Sequence, residues 1–171
     1  MHSHILICGE VGVGKSTLIS RLIESTGRPV SGFCTKRTDM TGGRRGVYMF
    51  SPRNRDESVL LARCENGSWT VDTEAFDSFG TELLSRVKKG DVIVMDELGF
   101  MEENAEKFKA RVLELLDGDI TIIAAVKLRD HNSPFLKAVK EHPNADIFCI
   151  TEENRDGLLR ELLQDPRITD R

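Results

Sequence analysis

A chain of 171 residues with 39% hydrophobic and 30% charged residues is long enough for one α/β domain with a full core and too short for two of ordinary size. Its formal net charge of −4 argues against a surface built to bind nucleic-acid backbones without regard to sequence, and no apolar run approaches the roughly 18 residues of a membrane-spanning helix. The start, Met1-His2-Ser3-His4, has no signal-peptide pattern, so a cytoplasmic protein is expected, with no membrane partner and with its oligomeric state left open. Cys8, Cys34, Cys64 and Cys149 show neither zinc spacing nor a C-x-x-C pair and are expected to be reduced thiols serving as small hydrophobes.

The first element is the apolar run Ile5-Leu6-Ile7-Cys8, a buried strand by its pattern; Leu18, Ile19, Leu22 and Ile23 then recur at helical spacing. Between them lies Gly9-Glu10-Val11-Gly12-Val13-Gly14-Lys15-Ser16, a complete match to the phosphate-binding loop G-x-x-x-x-G-K-[ST] in the strand, loop and helix context it needs. Gly9, Gly12 and Gly14 let the chain turn tightly and bring backbone N–H groups up to phosphate oxygens. The helix opening at Lys15 and Ser16 adds unpaired amides and the positive end of its dipole. Lys15 is expected to reach the β- and γ-phosphates of a nucleotide, and the Ser16 hydroxyl to ligate Mg²⁺.

Gly27-Arg28-Pro29 stops that helix. Residues 30–35 and 47–50 read as strands joined by a flexible glycine-rich tip, 36–46, that carries Arg44 and Arg45. Residues 58–64 and 68–71 form a second hairpin turning at Asn66-Gly67. Asp72 caps a helix whose apolar face is Phe76, Phe79, Leu83, Leu84 and Val87, closed by Gly90. A strand at 91–95 follows, then a helix with Phe108, Val112, Leu115 and Leu116 on one side, then a strand at 120–126 without alternation. Ser133-Pro134 opens another helix, 147–150 is the last strand, and 153–164 the last helix. Strands alternating with helices predict a parallel sheet covered on both faces.

The strand ending at Met95 delivers Asp96 and Glu97 at its carboxyl end, where open α/β sheets bind ligands. After a phosphate-binding loop this is a Walker B pattern. Asp96 is expected to hold Mg²⁺ through a water, and Glu97 to orient or activate the water that attacks the γ-phosphate. In P-loop ATPases with such an acidic pair, the strand after Walker B inserts between the P-loop strand and the Walker B strand, and that order is expected here. Charge developing on the γ-phosphate needs a cation; Lys127, Arg129, Arg44 and Arg45 are the candidates. Asn154, or the plane of Arg155, is the candidate nucleobase contact, and Thr151 a cap for the last helix.

Taken together, GEVGVGKSTL, VSGFCTKR, GGRRGVYM, VIVMDELGFME and ITEENRDGLL resemble the small P-loop nucleoside-triphosphatase family, described in hyperthermophilic prokaryotes and, as cancer-related nucleoside triphosphatase, in animals. The resemblance runs nearly end to end. It implies a three-layer α/β P-loop NTPase fold, a mostly parallel sheet with RecA-like strand order and added β-hairpins. It also implies Mg²⁺-dependent hydrolysis of several nucleoside triphosphates to diphosphate and phosphate with limited base selectivity. By this resemblance Gly9, Glu10, Val11, Gly12, Val13, Gly14, Lys15, Ser16 and Thr17 bind phosphate, Asp96, Glu97, Leu98 and Gly99 complete the metal and water site, and Asn154 lies near the base. One departure is Phe100, which stands before Met101-Glu102 where members of the family often carry a Lys. Two rival activities stay open. The same cradle serves a small-molecule or nucleotide kinase, with the Arg44-Arg45 tip as an acceptor lid. Asp96-Glu97-Leu98-Gly99 also fits the D-x-x-G of a nucleotide-dependent switch, although no N-K-x-D guanine motif accompanies it.

Overall fold

The structure, a computed structural model, describes residues 2–130 and 132–170; Met1, and with it the start of the N-terminal segment read above, His131 and Arg171 lie outside the described residues. Strand β1 (His4–Gly9) is buried at every position, as a central parallel strand covered on both faces must be. Helix α1 (Lys15–Thr26) leaves the phosphate-binding loop, buries Leu18, Ile19 and Leu22, and ends at Gly27 with φ 62°. Strands β2 (Val30–Asp39) and β3 (Arg45–Phe50) form an antiparallel hairpin around a 3₁₀ turn at Thr41–Gly43. The expected flexible tip is therefore mostly ordered ladder. Strands β4 (Ser58–Glu65) and β5 (Ser68–Val71) close through Asn66 at φ 51° and Gly67 at φ 79°, the positive pair a two-residue hairpin turn requires.

The helix expected after Asp72 forms, with a π-helical turn in its middle. The Asp72 carboxylate accepts from the Ala75 N–H at 3.0 Å and starts α2 (Thr73–Ala75); a π-helical turn at Phe76–Gly80 follows, then α3 (Thr81–Ser85). The helix stops well short of Gly90, which at φ 94° instead forms the turn into β6 (Val92–Leu98). Helix α4 (Glu106–Leu116) buries Phe108, Val112, Leu115 and Leu116, and β7 (Ile122–Lys127) follows. Ser133 caps α5 (Pro134–Lys140) by accepting from the Leu136 N–H at 3.1 Å, and β8 (Ala145–Cys149) and α6 (Arg155–Leu162) come next. The same signature, Asp165 before Pro166, starts a short α7 (Pro166–Thr169) that the reading of the chain missed.

Among the described residues, eight strands join one sheet in the order β5-β4-β3-β2-β6-β7-β1-β8. Pairings of β2, β6, β7, β1 and β8 are parallel, and β3 to β5 extend the sheet antiparallel. Strand β7 lies between β1 and β6, as expected. Helices α1, α6 and α7 cover Ile5, Ile7, Val94, Ile123 and Ala125 on one face, and the elements from α2 to α5 cover Leu6, Ile93, Met95, Ala124 and Val126 on the other. Cys8 and Cys64 are buried and Cys34 partly so, but Cys149 is exposed because β8 is a sheet edge. Cys8 and Cys149 are register partners with their Sγ atoms 2.6 Å apart; burial and that contact push the Cys8 thiol up to about 12.

Candidate active site

The carboxyl ends of β1, β6 and β7 and the tail of β2 surround a cavity of about 370 Å³ lined by Lys15, Ser16, Thr35, Arg37, Asp96, Glu97 and Lys127, together with the loop residues Val11, Gly12, Gly14 and Thr17. Gly12 at φ 78° and Gly14 at φ 109° take the left-handed conformations that turn the loop. Gly9 serves a different purpose: a Cβ there would stand 2.7 Å from the Ile150 carbonyl oxygen, so the residue permits close packing of the loop that follows β8. Val13 is buried in the core and Glu10 takes part through its backbone, so neither side chain lines the cavity. The Lys15 ammonium, only 8% exposed, donates to the carbonyls of Gly9 at 2.8 Å and Glu10 at 3.1 Å.

Asp96 and Glu97 are consecutive, and in a regular strand they would face opposite sides of the sheet. Both line the cavity here. Against β7, Met95 pairs with Ala124 and Leu98 with Val126, so β6 advances three residues while β7 advances two. That one-residue bulge spans the acidic pair and re-aims it, a common use of bulges beside functional sites. The Asp96–Glu97 peptide bond is cis. Burial holds the Asp96 carboxyl above its usual range, with a hydrogen bond from Ser16 pulling the other way. Glu97 lies 2.6 Å from the Lys127 Nζ through one oxygen and 3.8 Å from the Lys15 Nζ through the other. Two cations thus grip the glutamate from opposite sides.

The Ser16 hydroxyl and the Asp96 carboxylate are oxygen donors that line the same cavity. Among the described residues there is no cluster of three or more His, Cys, Asp or Glu able to hold a metal alone. Two hard oxygen donors fit Mg²⁺, which keeps several waters and takes the rest of its shell from substrate phosphates.

Several expected residues lie elsewhere. Arg44 is paired with Glu65 at 3.4 Å and donates to the Thr41 carbonyl, while Arg45 donates to the Cys64 Sγ and covers the Trp69 ring, so neither lines the cavity. The ordered hairpin commits both to β4 and β5. Arg129 is exposed in the loop after β7, also off the cavity. Leu98 turns into the core at 1% exposure, and Gly99 lines a neighbouring cavity, its N–H donating to Glu102 at 2.6 Å. Asn154 is exposed in the turn before α6: its side-chain oxygen accepts from the Thr151 N–H at 2.7 Å and its amide donates to the Cys149 carbonyl at 2.9 Å. Thr151 in return accepts from the Asn154 N–H, and the Asn154 amide keeps one N–H and one lone pair for another partner. Arg155 does line a cavity of about 260 Å³ that shares Gly14 and Thr17 with the first, with Arg21, Ile150 and Leu159 in its walls.

Three residues escaped the reading of the chain. Thr35 and Arg37 reach the site because β2 continues to Asp39, and residues two apart on a strand share a face. Arg37 is braced over the Trp69 ring at 5.9 Å. Glu102, 2% exposed, has its carboxyl pushed up to about 7 by burial, against the Gly99 N–H that favours the charged form. Phe100, where the departure was noted, packs against the larger core.

A family model described as NTPase matches residues 4–163. The nucleoside-triphosphatase THEP1 of Thermotoga sp. (strain RQ2) is 32% identical over 169 residues, 93% of this chain and 92% of that protein. Among solved structures, the crystal structure of THEP1 from Aquifex aeolicus is similar with a TM-score of 0.78 at 28% identity, covering 95% of this chain and 99% of that one. The solution structure of a human cancer-related nucleoside triphosphatase is similar with a TM-score of 0.73 at 27% identity, covering 94% and 95%.

Proposed function

The chain belongs to the NTPase family, and from that premise we propose that it hydrolyses nucleoside 5′-triphosphates to the diphosphate and phosphate, with Mg²⁺ and with broad base specificity. The observation that carries this reading is the meeting of Lys15, Ser16, Asp96 and Glu97 in one cavity, although the two pairs are some eighty residues apart in the chain.

In this reading the loop amides from Gly12 to Thr17 and the Lys15 ammonium hold the β- and γ-phosphates. Ser16 and Asp96 hold the Mg²⁺, which when bound neutralises charge on those phosphate oxygens. Glu97 takes the proton of the attacking water, and Lys127, at 2.6 Å, fixes its orientation. Arg37 stabilises charge on the γ-phosphoryl oxygens from the β2 side. Broad base specificity is supported by the Arg155 cavity, whose walls offer the Arg21 and Arg155 side chains with Ile150 and Leu159.

The test is phosphate release from ATP, GTP, CTP, UTP and TTP, each with Mg²⁺ and with excess chelator. Release from all five within about tenfold of one another, abolished by the chelator, is expected. Release from a single triphosphate, or release indifferent to the chelator, contradicts the reading.

A further inference from the structure

A second cavity of about 240 Å³ adjoins the first and shares Thr35, Arg37, Glu97 and Lys127 with it. Its other walls are Val47 of β3, Leu61 of β4, Phe76 of the π-helical turn, and Phe100, Met101 and Glu102 from the turn after β6. Elements distant in sequence converge on this space, and the π-helical turn, a feature frequent at functional sites, supplies one wall.

Hydrolysis does not account for it. A nucleophilic water needs only about 10–15 Å³ and polar partners, whereas this space is about 240 Å³ and has an apolar side in Val47, Leu61, Phe76, Phe100 and Met101. The charges facing this space select its occupant. Lys127 is engaged with Glu97 at 2.6 Å, and the buried Glu102 accepts from the Gly99 N–H. Arg37 lines both cavities and, among the described residues, has no carboxylate within ion-pair distance. A guanidinium that lines both the γ-phosphoryl side and this space, with apolar walls beyond it, fits a small molecule with an anionic head and an apolar body.

We propose that this cavity binds a small apolar carboxylate or phosphate monoester whose oxyanion accepts the γ-phosphoryl group. The proposal rests on the nucleotide cradle described under the proposed function. A lone pair of the oxyanion forms the new P–O bond as the bond from the γ-phosphorus to the β–γ bridging oxygen breaks. The electron pair of that bond stays on the departing nucleoside diphosphate. The product is an acyl phosphate or a diphosphate ester, and no proton is transferred because the nucleophile is already ionised.

The test incubates the full chain and Mg²⁺ with γ-labelled ATP and, separately, benzoate, phenylacetate, hexanoate, phenyl phosphate or hexyl phosphate, with benzyl alcohol as the neutral control. Label recovered as a hydroxylamine-trappable acyl phosphate identifies the carboxylate arm, and label in a diphosphate ester identifies the phosphate arm. In at least one arm transfer should exceed release to water by about tenfold, and benzyl alcohol should accept none. Met101→Trp, which fills the second cavity alone, should abolish transfer and leave phosphate release within about twofold. Leu61→Phe provides a second filling variant, and circular dichroism checks that both fold. Release to water with no label in any acceptor, or transfer untouched in folded filling variants, overturns this proposal and spares the hydrolytic one. Neither release nor transfer from the wild-type chain removes the nucleotide reading beneath it.

Discussion

The two walls of the nucleotide cavity are built in opposite ways. One is a short continuous segment from the end of β1 into the first turn of α1, shaped by Gly12 and Gly14 at positive φ and carrying Lys15 and Ser16. The other consists of side chains only: Thr35 and Arg37 from β2, Asp96 and Glu97 from β6, Lys127 from β7. The first wall needs only its own local turn to exist. The second exists only because β2, β6 and β7 are sheet neighbours and because a bulge turns two consecutive acids to the same side. The geometry of the first wall is set by local backbone conformation, whereas that of the second depends on the packing of three strands.

Perturbing each wall separately sharpens this contrast. The largest loss belongs to the first wall's one cation: Lys15→Ala should lower kcat/KM for triphosphate hydrolysis by about 10³-fold or more, read from initial rates of phosphate release. Next is the turn that supports the second wall. The Glu102 carboxyl, raised from 4.5 to about 7 in the folded chain, contributes stability that is complete below pH 4.5 and is lost as pH rises through about 7. Glu102→Gln cannot titrate, so urea unfolding should show its stability gaining on the wild type by about 3 kcal/mol between pH 4.5 and pH 8. A constant difference across that range would remove the buried carboxylate from the balance. Smaller again is Arg37→Ala, expected to cost about tenfold in kcat with little change in folding, while Arg44→Ala and Arg45→Ala stay within about twofold. Equal losses in all three arginine variants would return the hairpin tip to the site.

The same division decides what could be read from the chain. The phosphate-binding loop, its strand and α1 were legible because their signals are consecutive, and the hairpin turn at Asn66-Gly67 was legible because its dihedral demands select those residues. The order β6-β7-β1 followed from the acidic pair through known P-loop ATPases. Arg37 was hidden: Lys36, Arg37, Thr38 and Asp39 read as a polar loop, yet they pair with β3 on an exposed ladder whose stability owes nothing to apolar alternation. The glycine-rich tip drew attention to Arg44 and Arg45, which the ladder then turned toward Glu65, Cys64 and Trp69. Asn154 carries two signals at once, since an Asn before a helix serves its own turn as readily as a ligand. The bulge at Asp96-Glu97 and the π-helical turn at Phe76–Gly80 have no local signature and emerge only from packing between neighbouring elements.

The acid pair gives the most direct trial of the whole account, through Glu97→Gln with nucleotide binding and turnover measured on the same sample. Mg²⁺-ATP should bind with nearly unchanged affinity while single-turnover hydrolysis falls by about 10²-fold or more, because the cradle is intact and only the proton acceptor is gone. Hydrolysis at the wild-type rate in that variant would contradict the account and move activation of the water to another group.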